Sequence, residues 1–233
     1  MRPIDRGECP TENNGSKKVY TKYDYARRDL IDRIGQYCSY CNQKLPASLA
    51  VEHVKPKSIV PSLELEWDNF LLACTNCNST KGDKPIELDD YLWPDVHNTH
   101  LAFIYSSDGK VEVNPELEPA LKVRAQNLLD LVGLQRYKDQ PTDSDRRWKN
   151  RKTTFNKANE ALELFNSARA NGFEEEFISL LGLWVTDNGF FSIWLDVFSG
   201  FPKVKNKIIQ SFEGTALDAF DTVANAVPRT TDL

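Results

Sequence analysis

The segment WDNFLLACTNCNSTKGDK, residues 67–84, decides the fold because it carries a CxxC pair, Cys74 and Cys77. An earlier pair, Cys38 and Cys41, lies in the segment YCSYC, and 32 residues separate the two pairs. Two residues between cysteines let both thiolates face one ion, and two such pairs complete the tetrahedral shell that zinc accepts. We therefore predict a structural zinc site made of four cysteines, with no open position for a substrate. Four buried thiols or a redox pair are the alternative interpretations.

The composition suits a folded protein that holds a polyanion in one place. The 233 residues are 40% hydrophobic, which is enough for a core in one large domain or two small ones. The net charge is −5, yet residues 1–60 hold eleven Lys and Arg against seven Asp and Glu, and residues 138–157 hold seven against three. Local charge of this kind decides nucleic-acid binding more than the net value does.

The chain shows no apolar run of about 18 residues, and its first residues, MRPIDRGECP, are polar. We therefore expect a soluble, cytoplasmic protein with no membrane segment. In such a compartment, cysteines are thiols or metal ligands more often than disulfides.

The apolar pattern becomes helical towards the end of the chain. Apolar residues at four-residue spacing predict a helix over 23–34, and Asp108-Gly109 predicts the turn of a hairpin over 100–115. Short apolar runs predict strands and longer periodic runs predict helices: the strands cover 49–53 and 69–74, and the helices cover 117–133, 144–170, 173–185, 190–198 and 203–212. The last residues, 227–233, are expected to form a loose tail.

These elements predict an α+β fold, in which a small metal-centred module precedes a β-hairpin and a mainly helical C-terminal region. Residues 1–99 are assigned to the N-terminal helix and the zinc-bound module. Residues 100–233 are assigned to the hairpin and the helices, which would bind a partner or substrate. The sequence leaves open whether the helical half is a second domain or wraps around the first.

Between the cysteine pairs, the segment VEHVKPK (51–57) holds one of only three histidines, His53, directly after Glu52. A neutral imidazole near pH 7 can take a proton from water and direct that water at phosphorus. A histidine without context would be interpreted as a surface residue. A carboxylate beside it, however, would repel a phosphate unless a cation lay between them, so the pair indicates metal-assisted hydrolysis.

The segments YCSYC, VEHVKPKS and WDNFLLACTNCNSTKGDK together resemble the HNH endonuclease family in its zinc-bound form. The resemblance implies a ββα-metal module: a strand, a loop, a second strand and a short helix. Glu52 and His53 stand where the family closes its first strand. Asn69 stands near the second strand, and Asn78 takes the place of the third, eponymous histidine on the helix.

The resemblance also implies a role for each of these residues. His53 would be the general base, and Asn69 would orient it through a hydrogen bond or by fixing the loop. Glu52 and Asn78 would hold one Mg²⁺ or Mn²⁺ through oxygen. Neighbours in an ideal strand point to opposite faces, so the strand must end or bend at Glu52 and His53, and Pro56 agrees with this. Turn and cap chemistry is the alternative role for both asparagines.

Six basic residues are candidates for phosphate contacts: Lys55, Lys57, Lys81, Arg146, Arg147 and Lys149. The last three belong to DRRWKNRK (145–152), which is equally compatible with a helix whose Trp148 faces the core while its basic residues face water. Each lysine could equally be solvated surface. The sequence also leaves open whether Asp95, His97 or His100 joins the catalytic site.

With MRPIDRGECP, YLWPD and the helical tail included, the chain resembles the HNH subunit of Septu-type antiphage defence systems, which also occur with some retrons. This resemblance implies an ABC-type ATPase partner and a nuclease that acts on DNA or RNA after infection. The alternative from another class is a non-catalytic zinc-bound module that only binds nucleic acid or a protein. Both interpretations need the four cysteines, but only the enzyme needs Glu52, His53 and a second kind of metal ion.

Overall fold

The front of the chain folds around a short antiparallel pair of strands. In the computed structural model, which describes residues 1–138 and 145–233, β1 (Leu49–His53) pairs with β2 (Phe70–Cys74). The predicted strands are therefore confirmed, with the second beginning one residue later than expected. All five residues of β2 are buried, which explains why its sequence is a continuous apolar run instead of an alternating one.

Two helices complete this front module. α1 (Ala26–Ile34) follows a single 3₁₀ turn and ends at Gly35, whose positive φ of 72° suits glycine. α2 (Thr75–Lys81) begins directly after β2 and packs against both strands. The order strand, loop, strand, short helix is the ββα arrangement that the sequence resemblance implied.

The predicted hairpin is shorter than expected. β3 (Phe103–Tyr105) pairs with β4 (Val111–Val113), but the residues just before β3 form a short helix, α3 (Thr99–Ala102). The Asn98 side chain accepts a hydrogen bond from the backbone amide of His100, at 3.2 Å, and so caps this helix. That local bond favours a helical turn where the sequence interpretation placed strand.

The rest of the chain is helical, as predicted. Five helices follow: α4 (Pro119–Val132), α5 (Arg147–Ala170), α6 (Glu174–Asn188), α7 (Phe191–Val197) and α8 (Pro202–Ser211). The predicted start of the long helix at Ser144 lies outside the described residues. With two two-stranded sheets and eight helices in the described part of the chain, the α+β class is confirmed.

Two hydrophobic clusters hold the elements together. The first contains the interior of α1, β1, β2 and α4, whereas the second is built from α5 to α8 with many aromatic rings. Tyr37 belongs to the second cluster although it directly precedes Cys38. The division at residues 99 and 100 stays a prediction.

The end of the chain is not a loose tail. Leu233 is buried in the first cluster, and its carbonyl accepts a hydrogen bond of 2.7 Å from the backbone amide of Asn98. The Asn98 side chain also donates to the carbonyl of Val227 at 2.8 Å. The prediction was wrong because polar, proline-containing composition does not show which backbone groups find partners far along the chain.

Among the helices of the described residues, none is long and apolar enough to cross a membrane.

Candidate active site and cysteine cluster

The four paired cysteines meet at the point where β2 runs into α2. The sulfur atoms of Cys38, Cys41, Cys74 and Cys77 lie within 4.8 Å of one another, and all four residues are buried. Cys74 ends β2 and caps α2, since its Sγ accepts a hydrogen bond from the backbone amide of Cys77 at 3.4 Å. Four sulfurs converging from two turns match the donor set of a structural zinc site.

The electrostatics of the cluster fit a bound cation. Contacts with Cys38 and Cys74 raise the pKa of the Cys41 thiol, and burial raises the pKa of the Cys77 thiol. Hydrogen bonds from the other three cysteines lower the pKa of the Cys74 thiol, so Cys74 is the first of these to ionise. Sulfurs this close resist ionising together, whereas a coordinated thiol loses its proton outright. A divalent ion among them would remove the cost of packing four sulfurs together.

Arg147 contributes to this cluster instead of facing solvent. Its guanidinium donates to the Cys77 Sγ at 3.1 Å and to the carbonyls of Val132 and Gly133, at the end of α4, at 2.9 and 2.8 Å. It also pairs with Asp145 at 2.5 Å. Although burial alone would lower it, the bonds to Asp145 and the nearby cysteines raise the pKa of Arg147. These contacts use the donors that the sequence interpretation had assigned to phosphate.

His53 ends β1 at the edge of the sheet. Its ring packs edge-on against Tyr23 and Phe70, with ring centroids 5.0 and 5.3 Å apart. Its Nε2 lies 2.9 Å from the carbonyl oxygen of Glu64. A carbonyl can only accept, so the neutral imidazole carries its proton on Nε2. The lone pair is therefore on Nδ1, which has no hydrogen-bond partner among the described residues.

The surroundings of His53 keep it neutral. Burial lowers the pKa of the imidazole, and the ammonium groups of Lys57 and Lys81 add to that, whereas the bond to the Glu64 carbonyl opposes it. An imidazole that is neutral at pH 7 can accept a proton, which a general base must do.

Asn69 fixes the loop that presents the Glu64 carbonyl. Its Oδ1 accepts from the backbone amide of Lys55 at 2.7 Å, and its Nδ2 donates to the carbonyls of Lys55 and Leu63 at 2.9 and 3.1 Å. The sequence interpretation expected Asn69 to orient His53 either through a hydrogen bond or by fixing the loop. These contacts correspond to fixing the loop.

Glu52 points inward beside His53 and meets Lys81. Only 4% of the Glu52 side chain and 1% of the Lys81 side chain are exposed, and Nζ lies 2.8 Å from Oε1. The two groups form a buried ion pair, in which Lys81 is the cation that faces Oε1. Burial raises the pKa of the Glu52 carboxyl, and Lys81 opposes the rise. Lys81 also donates to the His53 carbonyl at 2.7 Å, so its buried ammonium faces protein groups and not solvent.

These side chains line one cleft of about 360 Å³. The aromatic, ionisable and amide side chains that line the cleft belong to Tyr23, Glu52, His53, Lys57, Asn78, Lys81 and Asp83. Lys57 stands at the rim, where its Nζ lies 3.1 Å from a Glu64 carboxylate oxygen and 4.0 Å from the centre of the Tyr23 ring. The structure therefore brings the candidate base and both candidate metal ligands to one opening.

The remaining candidates lie in different settings. Lys55 is half-buried, and Arg146 and Lys149 are exposed near the start of α5. Two of the residues left open line a second cleft, where Asp95 pairs with Arg6 at 3.0 Å and His97 contacts Arg124 at 3.0 Å.

His100 is partly buried near Phe191 and Phe220, and loss of hydration lowers the pKa of its imidazole to about 3. None of the three residues left open (Asp95, His97, His100) lines the His53 cleft.

Comparison with known proteins matches the same stretch of chain. The model of the HNH endonuclease family matches residues 38–84, from the first cysteine of the cluster to the turn after α2. Residues 38–84 form an HNH-family module. Both cysteine pairs, the two strands and the His53 cleft lie in or beside this HNH module, so the resemblance stated from the sequence is confirmed there.

A curated relative supports a narrower resemblance. The Septu protein PtuB of Bacillus thuringiensis is 30% identical to this chain over 92 residues. The match covers 37% of this chain and 36% of the relative, so it spans about a third of each protein. It agrees with the Septu-type resemblance noted in the sequence.

Sequence reasoning missed two contributors to the cleft. The Glu64 carbonyl that orients His53 is a backbone group, and no residue pattern marks it. Tyr23 comes from the turn before α1, thirty positions away from His53 in the chain. Only its place before an amphipathic helix that packs on β1 could have suggested it.

Proposed function

We propose that this protein is a metal-dependent HNH nuclease that hydrolyses phosphodiester bonds of nucleic acid. The observation that carries the proposal is the arrangement of His53, which is held by Nε2 with Nδ1 left as the acceptor, beside the buried carboxylate of Glu52. A binding module would have no use for a neutral, oriented imidazole next to a carboxylate in a phosphate site.

In the proposed reaction, His53 Nδ1 takes a proton from a water molecule that attacks phosphorus. The Glu64 carbonyl holds Nε2–H and stabilises the imidazolium that results. Asn69 keeps the loop in place so that this bond is made before substrate arrives. The products would be a 3′-hydroxyl and a 5′-phosphate, as the family resemblance implies.

We propose that Glu52 and Asn78 hold one Mg²⁺ or Mn²⁺ in the cleft. Both supply oxygen, which these ions prefer, and both line the same cleft. The ion would stabilise charge on the phosphate and on the leaving oxygen. The four cysteines would hold a structural Zn²⁺, which leaves the chemistry to the other ion.

The proposed phosphate contacts are Lys55 and Lys57 at the loop, Arg146 just before α5, and Lys149 in α5. Exposed or half-buried cations can neutralise phosphates without a desolvation cost. The buried Lys81 and Arg147 are left out of this set because their donors are occupied by protein groups.

We further propose that the nuclease is the effector of a bacterial antiphage defence complex with an ABC-type ATPase. This part rests on the Septu-type resemblance and on the partial match to a Septu protein, not on the geometry of the site. Co-purification of the chain with an ABC-type ATPase partner, beside the same chain without the ATPase, tests the association.

A cleavage assay of wild type beside His53→Ala tests the nuclease. Plasmid DNA and total cellular RNA are each offered with Mg²⁺, Mn²⁺ or EDTA, at several ratios of ATPase partner including none. We expect metal-dependent cutting that falls at least about 10²-fold in the variant, the lower range for loss of a general base. The substrate that is cut identifies DNA or RNA as the target.

His97→Ala is the matched control because it removes a histidine from the neighbouring cleft. Full cutting by a folded His53→Ala protein would refute the assignment. Tight nucleic-acid binding without cutting under every condition would favour the non-catalytic binding module.

A further inference from the structure

Lys81 occupies an unusual position for a lysine near a phosphate site. It is the last residue of α2 and is 1% exposed. Its ammonium lies between the carboxylate of Glu52, at 2.8 Å, and the carbonyl of His53, at 2.7 Å. A buried ammonium in contact with a proposed metal ligand and with the backbone of the proposed base belongs to the electrostatics of the site itself.

The carboxylates at the His53 cleft are accompanied by cations. Among the described residues that line it, the carboxylates belong to Glu52 and Asp83, and the ammonium groups belong to Lys57 and Lys81. Lys57 pairs with the Glu64 carboxylate at 3.1 Å, so the buried Glu52 carboxylate has Lys81 as its counter-ion. His53 is neutral for the reasons given above, and Asn78 adds no charge. Sites that bind divalent cations tightly do so with several uncompensated carboxylates, because affinity follows the charge of the ligands.

We propose that Lys81 is a resident cation that keeps the affinity of the cleft for Mg²⁺ or Mn²⁺ low until a phosphate of the nucleic acid enters. The inference rests on the proposed function, since it assumes that Glu52 is a ligand of the catalytic ion. It assigns to Lys81 a positioning and gating role that differs from a direct contact with substrate.

Lys81 cannot simply withdraw when an ion arrives. Its side chain is enclosed, and moving the ammonium away from Glu52 and the His53 carbonyl would leave a buried charge without a partner. An ion that binds Glu52 must therefore share the carboxylate with a neighbouring positive charge. Like charges in a poorly solvated site repel strongly, so the ion alone binds weakly.

A phosphate changes this balance because it brings both negative charge and oxygen ligands. Magnesium is commonly held by one or two carboxylates together with substrate phosphates instead of by a site made only of protein. The binding of metal and nucleic acid would then be cooperative, and by linkage each would tighten the other. A nuclease of this kind carries little catalytic metal while no substrate is bound.

Binding of Mn²⁺, followed by electron paramagnetic resonance of the free ion, tests the inference without cutting. The full chain carries His53→Ala so that nucleic acid stays intact. It is titrated with Mn²⁺ alone and with a short DNA duplex or RNA of the same sequence, with the nucleic acid alone as blank. We expect Mn²⁺ to bind at least about tenfold more tightly when the nucleic acid is present.

The decisive variant is Lys81→Met in the same background. Removal of the resident charge should raise the affinity for Mn²⁺ alone at least about tenfold and reduce the effect of nucleic acid. Mn²⁺ should also raise the melting temperature of this variant more than that of its parent. An unchanged or weaker affinity for Mn²⁺ in Lys81→Met would overturn the inference.

Two further variants serve as controls for the change in Mn²⁺ affinity. Lys84→Met removes an exposed lysine three positions away and should leave Mn²⁺ affinity unchanged. Glu52→Gln with Lys81→Met should lose the gained affinity, because the carboxylate is gone. If Lys81→Met does not fold, Lys81→Gln replaces it and retains a hydrogen-bond donor for the His53 carbonyl.

The inference and the proposed function can fail separately. Cutting by His53→Ala would refute the role of the base, but the comparison of Mn²⁺ affinity between parent and Lys81→Met without nucleic acid would still test the gate. Equal Mn²⁺ affinity in parent and Lys81→Met, with cutting still dependent on His53, would refute only the gate.

Discussion

At the scale of single residues, the cleft depends on one tautomer of one imidazole. The proton of His53 is held at Nε2 by a carbonyl, and this leaves Nδ1 as the only basic nitrogen of the neutral ring. The carbonyl belongs to a loop that Asn69 pins through three hydrogen bonds to the backbone. Asn69 therefore orients the imidazole through the backbone of this loop.

Asn69→Asp should separate orientation from binding. A carboxylate has nearly the same shape but cannot donate to the carbonyls of Lys55 and Leu63, so both carbonyls lose the Asn69 donor. We expect the free energy of unfolding to fall by about 2 kcal/mol and kcat to fall while KM stays nearly unchanged. Denaturant unfolding and steady-state cleavage measure the two effects.

Asn159→Asp on the exposed face of α5 is the control for the added charge. A change in KM alone, with kcat retained in Asn69→Asp, would contradict a positioning role.

At the scale of elements, the cysteine cluster and the helical region are joined by Arg147. This residue opens α5, yet its guanidinium reaches Cys77 in α2 and the last carbonyls of α4. Carbonyls at a helix end lack partners within the helix, so a buried cation there satisfies them and suits the helix dipole. One side chain thus connects three helices to the metal-binding sulfurs.

Arg147→Met should weaken both the fold and the hold on metal. The Asp145 side chain, which is mostly enclosed, would lose its closest ion-pair partner, and removing one side of a buried pair costs about 3 kcal/mol. The Cys77 sulfur would also lose the N–H donor that stabilises its negative charge. We expect faster transfer of zinc to a competing chelator and a lower melting temperature, whereas the exposed neighbour variant Arg146→Met should match wild type.

A second contact between elements depends on a glycine. Gly109 turns the β3–β4 hairpin with a φ of 92°, and a Cβ there would lie within 2.1 Å of the backbone carbonyl of Trp148 in α5. No such approach is possible for a residue with a side chain, so the hairpin would have to move away from the helix.

Gly109→Ala is therefore expected to destabilise the protein by more than the strain of positive φ alone, which is about 1 kcal/mol. Gly15→Ala is the matched control, because Gly15 also has a positive φ, of 83°, but nothing lies within 4 Å of its added Cβ. Denaturant unfolding of both variants measures the difference. Equal losses of stability would show that the contact with α5 adds nothing.

At the scale of the whole molecule, the HNH module has little regular structure of its own. Its sheet has two strands of five residues, and α2 has seven residues. A two-stranded sheet is marginal in water, so the cysteine cluster and the surrounding helices must supply the missing stability. The first hydrophobic cluster extends from the module to α4 and to the end of the chain.

Loss of the structural metal should therefore unfold the module. Zinc binding can contribute on the order of 10 kcal/mol to folding, and Cys38→Ser removes one of four ligands. We expect a lower melting temperature together with lost zinc, measured by circular dichroism and metal analysis. Cys9→Ser, outside the cluster, should change neither. An unchanged melting curve in a Cys38→Ser protein without zinc would contradict this role.

The sequence by itself determined the features that depend on spacing along the chain. Two CxxC pairs, two short strands predicted at 49–53 and 69–74, and a histidine that closes the first strand are local patterns, and each has a local physical cause. Only the tertiary structure decided which groups the long, charged side chains bind. Lys81 reaches a carbonyl 28 residues away and Arg147 a sulfur 70 residues away, and both are buried although their sequence setting suggested phosphate contacts. Charge in a sequence shows what a residue can pair with, whereas packing decides whether water, phosphate or protein becomes the partner.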